Sequence, residues 1–355
     1  MREPDCVGAL ILDSRHRVFA QRRSPHRRVL PGVWDVVGGH LEAGETPEQA
    51  LARELTEETG WKLAHIEVVI ADWEWEWDGV VRRELDYLVT VSGDLDAPRL
   101  EEGKHDEYAW VGRDNLDLMM AGRTDNDRRL RDIVAKAVRI RLTDRLRLEP
   151  VGPAHVDDLV RLHDDPTVAF WYAGRWDHDE ARRRATRMGE AWEVDGVCKW
   201  MAYERTGREQ VGGELAGAEL VGRGGLSRMA ADAEVTRRIE AALGDRSRGW
   251  AGQRIEVGWA ILTSASGRGL ATELGRAGLA YAFDTLGADE VVAFAERHNT
   301  RSRGVMERLG MDYVGEFPGE GLFEGAEGVH AWAPFALYAT AAGPGRAWTA
   351  NRSPV

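Results

Sequence analysis

One uninterrupted run, Gly39 to Trp61 (GHLEAGETPEQALARELTEETGW), constrains this chain more than any other stretch. It reads G-x5-E-x7-R-E-L-x-E-E-x-G-aromatic, with eight residue types at fixed offsets before the aromatic. At roughly 7% usage per residue, a chance match is on the order of one in 10⁹ start positions. The local physics predicts a helix. Thr46 is a capping residue, Pro47 fits the first helical position, and Gln49 is placed to reach back as in a capping box. Gly60 supplies the left-handed stop. Inside the helix Glu54, Glu57 and Glu58 fall at i, i+3 and i+4, so three carboxylates share one face. Like charges at that spacing cost about 0.2–0.5 kcal/mol per pair on an open helix. A divalent cation held by oxygen ligands turns this repulsion into attraction, and Mg²⁺ is the usual companion of phosphates.

These residues resemble the Nudix box, the signature of the Nudix hydrolases. The resemblance implies a hydrolase that splits a nucleoside diphosphate linked to another moiety, with Mg²⁺ or Mn²⁺ as cofactor. It implies Glu54, Glu57 and Glu58 as metal ligands, with Glu57 also catalytic. Arg53 orients one of these carboxylates, Glu45 supports the site, and Gly38 or Gly39 offers a backbone carbonyl. Glu107 stands just before the strand Tyr108–Val111, where some relatives place an additional metal-binding or base carboxylate, so the resemblance makes it a further candidate metal ligand. Trp61 departs from the family, which usually has an aliphatic residue there.

With 355 residues the chain exceeds one ordinary core, so two domains are expected. A net charge of −13 argues against a general nucleic-acid binder. Cys6 and Cys198 stand far apart in no metal or redox spacing, which fits a reducing cytoplasm. No apolar run reaches membrane-spanning length, and the N-terminus lacks a signal-peptide core.

In the first half, Val7–Leu12 and Val18–Gln21 read as a strand pair around a polar turn. The basic loop Arg22–Arg28 reads either as a solvated turn or as a contact for substrate phosphates. Ile66–Ile70 and Asp72–Trp77 read as strands. Trp73-Glu74-Trp75-Glu76-Trp77 alternates with period two, aromatic on one face and acidic on the other. That face suits packing against a neighbouring layer or stacking on a nucleobase. Glu84–Val91 and Tyr108–Val111 are further strands. Asp125–Ile140 is an amphipathic helix.

The second half carries a different pattern. Thr143–Leu148 alternates like a new first strand, and a helix follows from about Ala154 to His163. The strand Ile255–Leu262 runs into Ser266-Gly267-Arg268-Gly269-Leu270-Ala271, where a long helix starts. Glycines at such a turn let backbone N–H groups approach an anion, and the helix N-terminus favours its charge. A buried strand, Glu290–Ala295, precedes Asn299-x-x-Ser302 and a short helix, Arg301–Leu309. Ala331–Ala342 reads as a final core strand. An Ala- and Arg-rich segment between Met229 and Arg254 is partly helical by pattern.

From about Thr143 to Thr340 the chain resembles the GNAT acetyltransferases, in particular the ribosomal-protein N-acetyltransferase branch. The resemblance rests on TDRLRLEP, Gly224-Gly225-Leu226, the GRGLATE loop and NTRSRGVMERLGM, in that order. It implies acetyl-CoA as donor. Gly267, Arg268, Gly269 and Ala271 then hold the pyrophosphate, and Asn299 meets the pantetheine arm. Met306 stands where many members carry a tyrosine acid, so Ser302 is the candidate to protonate the thiolate. Glu256 is the first choice of base and Glu320 the second.

The expected class is α/β (α+β): a Nudix α/β/α sandwich over residues 1–141, a GNAT mixed-sheet domain over 142–341 and a flexible tail over 342–355. The expected function is a cytoplasmic bifunctional enzyme, acting on a nucleotide-type small molecule and on an amine. The amine is a small molecule or a protein N-terminus. The alternative is an N-acetyltransferase regulated by a Nudix nucleotide sensor.

Overall fold

The structure is a computed structural model that describes residues 2–120, 122, 124–205 and 218–343. Its contacts separate two compact units that adjoin in sequence at Ile140 and Arg141. Most of the expected tail, residues 344–355, lies outside the described residues.

The first unit contains β1 (Cys6–Ile11), β2 (Val18–Arg23), β3 (Trp34–Asp35), β4 (Val37–His40), α1 (Pro47–Thr59), β5 (Lys62–Trp77), β6 (Val80–Ser92), β7 (His105–Val111) and α2 (Asp125–Ala137). One mixed sheet has the order β4-β1-β6-β5, with β1 and β6 parallel. A smaller sheet has the order β3-β2-β7. The expected pairing of the first two strands gives way here. β1 and β2 share only the bridge Leu12↔Val18 and then enter different sheets. Every residue of β1 is buried, so it takes partners on both edges. The two strands expected across 66–77 are one strand, β5, absorbed into its pairing with β6 by three register shifts. The core gathers Val7, Ala9 and Ile11 with Leu51 and Leu55 of α1. Trp61 belongs to it too, edge-on to Phe19 at 4.8 Å between ring centres. Its aromatic departure therefore fills volume, and its indole N–H is satisfied by the Asp94 carbonyl at 2.9 Å.

The second unit contains β8 (Arg141–Leu142), β9 (Leu146–Pro150), α3 (Val156–Asp164), α4 (Pro166–Trp171), α5 (His178–Val194), β10 (Lys199–Glu204), β11 (Leu220–Arg228), α6 (Glu234–Leu243), α7 (Ser247–Ala251), β12 (Ile255–Ile261), α8 (Leu270–Ala280), β13 (Glu290–Glu296), α9 (Thr300–Arg308), β14 (Asp312–Leu322) and β15 (Val329–Ala341). All of its strands form one sheet of eight, ordered β14-β15-β13-β12-β11-β10-β9-β8. The parallel pair β12–β13 is joined only at Ile255↔Val291 and Glu256↔Val292. Beyond those residues the ladder ends, while β11 continues alongside β12 as far as Ile261. A sheet that opens at its centre creates a cleft without disturbing the buried apolar residues around it. The segment expected to be partly helical between Met229 and Arg254 forms α6 and α7.

Among the described residues, no helix is long and apolar enough to cross a membrane. Cys6 and Cys198 are both free and buried.

Candidate active sites

In the first unit α1 is fastened at both ends. Thr46 accepts from the Gln49 amide at 3.3 Å and Gln49 accepts from the Thr46 amide at 2.9 Å. Gly60 takes the left-handed conformation at φ 73° and its amide returns to the Thr56 carbonyl. Between those caps the helix turns carboxylates inward. Arg53 gathers them: it donates to both oxygens of Glu45 (2.9 and 3.0 Å), to Glu54 Oε1 (2.7 Å) and to the His40 carbonyl (3.0 Å). Its bond to Glu57 is long, 3.4 Å, and Glu57 is roughly half exposed.

Glu54 and Glu58 line a cavity of about 410 Å³ together with Gly38 and Gly39. Burial raises the Glu54 pKa above the usual carboxylate range. Glu58 is pushed up to about 8, first by burial and also by the charge of Glu54. It accepts from Gln21 Nε2 at 2.5 Å and from the Gly38 amide at 3.1 Å. Gly39 leaves room for the Glu54 carboxylate: a Cβ there would lie 2.1 Å from Glu54 Oε1. Arg23, Arg27 and Lys104 put positive charge on the same cavity.

The donor chemistry fits a hard divalent cation. Two desolvated carboxylates resist ionisation together, and the oxygen of Gln21 is buried without a hydrogen-bond partner. The side chains are nonetheless drawn onto Arg53 and Gln21. Among the described residues, no three His, Cys, Asp or Glu groups converge as a preformed cage. Glu57 and Glu107 do not line the cavity. Glu107 lies within β7, about half exposed, and pairs with Arg22 at 2.8 Å.

Gln21 and His105 carried no signal in the sequence. A polar residue in a strand looks solvated until the fold buries it. His105 stands 3.8 Å from Glu58, and burial beside Arg23 and Arg27 pulls its pKa down to about 4. The tryptophan alternation has a polar use as well. Trp73 donates its indole N–H to Asp86 at 2.7 Å, and Trp75 donates to Glu84 at 2.6 Å. Burial and mutual repulsion raise the Glu84 carboxyl, and burial above all raises Asp86. Trp73, Trp75 and Glu84 line the cavity.

In the second unit the parting of β12 and β13 opens a cavity of about 610 Å³, lined by Trp259, Glu296, Asn299 and Ser302 among others. At its strand-to-helix turn, Gly267 and Gly269 adopt φ 77° and 79°, a conformation glycine reaches without the Cβ penalty. No side chain caps α8, so the first amides of an eleven-residue helix are left for another acceptor. That arrangement fits a pyrophosphate. Arg268 is held by Glu204 through its guanidinium at 2.9 Å, and its carbonyl accepts from Arg145. Ala271 lies in the first turn of α8. Glu273, one turn into the helix, accepts from Thr143 Oγ1 at 2.6 Å and from Arg145 Nε at 2.7 Å. This tie between the unit's first residues and its glycine turn was not foreseen from the sequence.

Asn299 caps α9, its Oδ1 accepting from the Ser302 amide at 3.1 Å. Its amide oxygen is thus used by the helix, and Nδ2 remains as a donor. Glu256 is ion-paired with Lys199 at 2.8 Å, and that lysine also donates to the Gly225 carbonyl. Glu320 is exposed on β14 at the rim.

A family model described as a NUDIX domain matches residues 2–133. The chain is 35% identical over 127 residues to the nucleoside triphosphatase NudI of Klebsiella pneumoniae (strain 342), covering 33% of this chain and 86% of that protein. The chain belongs to the Nudix family. To the 8-oxo-dGTP diphosphatase of Proteus vulgaris it is 49% identical over 54 residues, which is 15% of this chain and about half, 47%, of that relative. A second model, described as an acetyltransferase (GNAT) domain, matches residues 145–312 of the same Nudix protein. A solved ribosomal-protein-S5-alanine acetyltransferase from Vibrio fischeri aligns with 57% of this chain and 96% of its own, at 12% identity and a TM-score of 0.41. The chain therefore joins a Nudix domain to a GNAT acetyltransferase domain, with the mixed-sheet α/β architecture expected of both.

Proposed function

We propose that this protein is a bifunctional enzyme: a Mg²⁺- or Mn²⁺-dependent hydrolase of nucleoside diphosphate-linked substrates and an acetyl-CoA-dependent N-acetyltransferase. The observation that carries the first activity is the joint burial of Glu54 and Glu58 on a cavity bearing Arg23, Arg27 and Lys104. Glu54 and Glu58 would hold the cation, with the Gly39 carbonyl and with Glu57 swung inward. The cation supplies neutralisation of phosphate charge and an acidified water. Arg23, Arg27 and Lys104 bind the phosphate oxygens. Arg53 fixes the direction of Glu54. Glu57 is bonded to Arg53 only at 3.4 Å and is thus free to make that inward swing, from which it would take the proton of the attacking water.

The second activity rests on the uncapped α8 N-terminus beside the cavity between β12 and β13. Gly267, Arg268, Gly269 and Ala271 would hold the donor's pyrophosphate through main-chain amides. Asn299 Nδ2 would bond its arm, and Ser302 would deliver a proton to the departing sulfur. The acceptor is an amine, on a small molecule or a protein N-terminus.

A nucleotide sensor that regulates the acetyltransferase is the second reading. It draws on the lack, among the described residues, of a preformed cation cage. One screen separates the two. Wild type and the double variant Glu57→Gln/Glu58→Gln meet nucleoside triphosphates, dinucleotides, ADP-ribose and nucleotide sugars with Mg²⁺, and released phosphate is measured. Turnover by wild type that falls by about 10² or more in the variant supports the hydrolase, since base and metal contributions span orders of magnitude. Nucleotide binding with no turnover supports the sensor.

A further inference from the structure

Four carboxylates line the transferase cavity, Glu234, Glu256, Glu296 and Glu320, and they differ in what they are free to do. Glu256 is neutralised by Lys199, which sits 2.8 Å away. That ion pair occupies the Glu256 carboxylate, which is therefore not open to an entering ammonium. Glu320 is exposed on β14 at the rim of the cavity. Glu296, the last residue of β13, is buried at 9% exposure and lines the cavity. It rests against Gly321 of β14, where a Cβ would come within 3.0 Å of its Oε1. The backbone carbonyl of Glu296 accepts from the Asn299 amide at 2.8 Å, so one turn carries Glu296, Asn299 and the Ser302 that Asn299 caps.

We propose that Glu296 is the proton acceptor for the amine and that the acceptor is a primary ammonium borne on an apolar or aromatic group. This rests on the acetyltransferase reading above. The aromatic walls of the cavity are Trp171, Tyr172, Trp259, Phe294, Phe317 and Phe335. Of its charged side chains, Glu234 is bound to Arg238 and Glu256 to Lys199, which leaves Glu296 and Glu320 as the lining carboxylates that form no ion pair among the described residues. An ammonium entering the cleft is drawn to Glu296 and loses one proton to it. The nitrogen lone pair then forms the C–N bond to the acetyl carbon as the C–S bond breaks, its pair leaving on sulfur. A second nitrogen proton balances the sulfur by way of the Ser302 hydroxyl, and the third stays on the amide. Burial raises the Glu296 carboxyl above its ordinary range, which brings it closer to an amine in basicity.

The charged groups that line the cavity with Glu296 are Glu320 on β14, Glu234 and Arg238 on α6, Glu256 on β12, Lys199 on β10 and Arg223 on β11, and His298 follows β13 close enough to act on its carboxyl. The test uses the full chain with acetyl-CoA and, as probe amines, benzylamine and the amide of the dipeptide Ala-Phe. Free thiol release is followed from pH 5 to 10. Binding of acetyl-CoA is measured by calorimetry, and the carboxyl proton is followed by infrared difference spectroscopy against Glu296→Gln. Glu296→Gln is expected to lower kcat by ~10²–10⁴ near neutral pH, with acetyl-CoA affinity within threefold. Its rate recovers at alkaline pH as the amine deprotonates in water. The wild-type profile carries a lower acidic limb set by the Glu296 carboxyl; that limb is absent in Glu296→Gln, whose rate follows deprotonation of the free amine alone, it remains in Glu256→Gln, and an infrared carboxyl band titrates with it. The proposal is overturned if Glu296→Gln keeps that limb or stays within threefold of wild type, or if the band titrates in the ordinary carboxylate range. Wild type that fails to bind acetyl-CoA, or releases thiol with neither amine, removes the acetyltransferase reading itself and this inference with it.

Discussion

His163, on α3, is fully buried, and neither ring nitrogen has a hydrogen-bond partner. Its ring lies flat on Trp176, 3.4 Å between centres, and edge-on to Tyr172 at 4.8 Å. Burial, with Arg223 and Arg184 nearby, pulls its pKa down to about 3. The unfolded chain protonates the same imidazole near pH 6.5. The native state therefore binds fewer protons, so stability is complete above about pH 6.5 and is lost as pH falls toward 3. Each pH unit in that window costs up to about 1.4 kcal/mol, or about 2 kcal/mol at pH 5. His163→Phe keeps the stacking partner and removes no hydrogen bond, so at pH 7.5 it is expected to be close to neutral. At pH 5.0 it should exceed wild type by about 2 kcal/mol, because the other titrating groups cancel in the difference. Urea unfolding at both pH values, read by hydrogen exchange of peptides covering 156–172, gives the two differences. If they agree within about 0.5 kcal/mol, a bound proton partner for His163 has been overlooked and the reasoning fails.

Gly39→Ala forces a Cβ onto Glu54 and should lower metal-dependent phosphate release by about 10² or more, at a folding cost of about 1–3 kcal/mol. Parallel assays of turnover and urea midpoint separate the two effects. Thr46→Ala removes the α1 cap and is expected to cost about 1 kcal/mol in thermal unfolding; no loss would mean the cap is replaced by solvent. Gly269→Ala strains a φ of 79° by about 1–2 kcal/mol. It should weaken acetyl-CoA binding in calorimetry, and unchanged affinity would remove the glycine turn from the donor site.

What the sequence disclosed followed from local rules. The caps of α1 and the turn at Gly267–Gly269 were legible because Thr46, Gln49 and the glycines act on their own backbone. Both domain types were legible because their motifs are short and ordered. What was hidden depends on distant partners. Lys199 and Glu256 are far apart in sequence, so the pairing that occupies Glu256 could not be foreseen. The burial of Gln21 against Glu58 and of Glu296 against Gly321 comes from strand order, which period-two patterns do not encode. The first two strands looked like a hairpin because their separation suits one; the completely buried β1 instead takes partners on both sides.

The inward carboxylates of α1 also bear on how this sequence can drift. Glu58 held in a dry wall favours a proton over its charge, so a neutral glutamine there would relieve the fold. On the proposed metal-ligand role, selection for heat resistance alone would drift toward Glu58→Gln and leave a hardier, silent protein. Under that proposal, persistence of the acid in a population would be a record of demand for the reaction, kept against a standing mutational bias toward the easier neutral form.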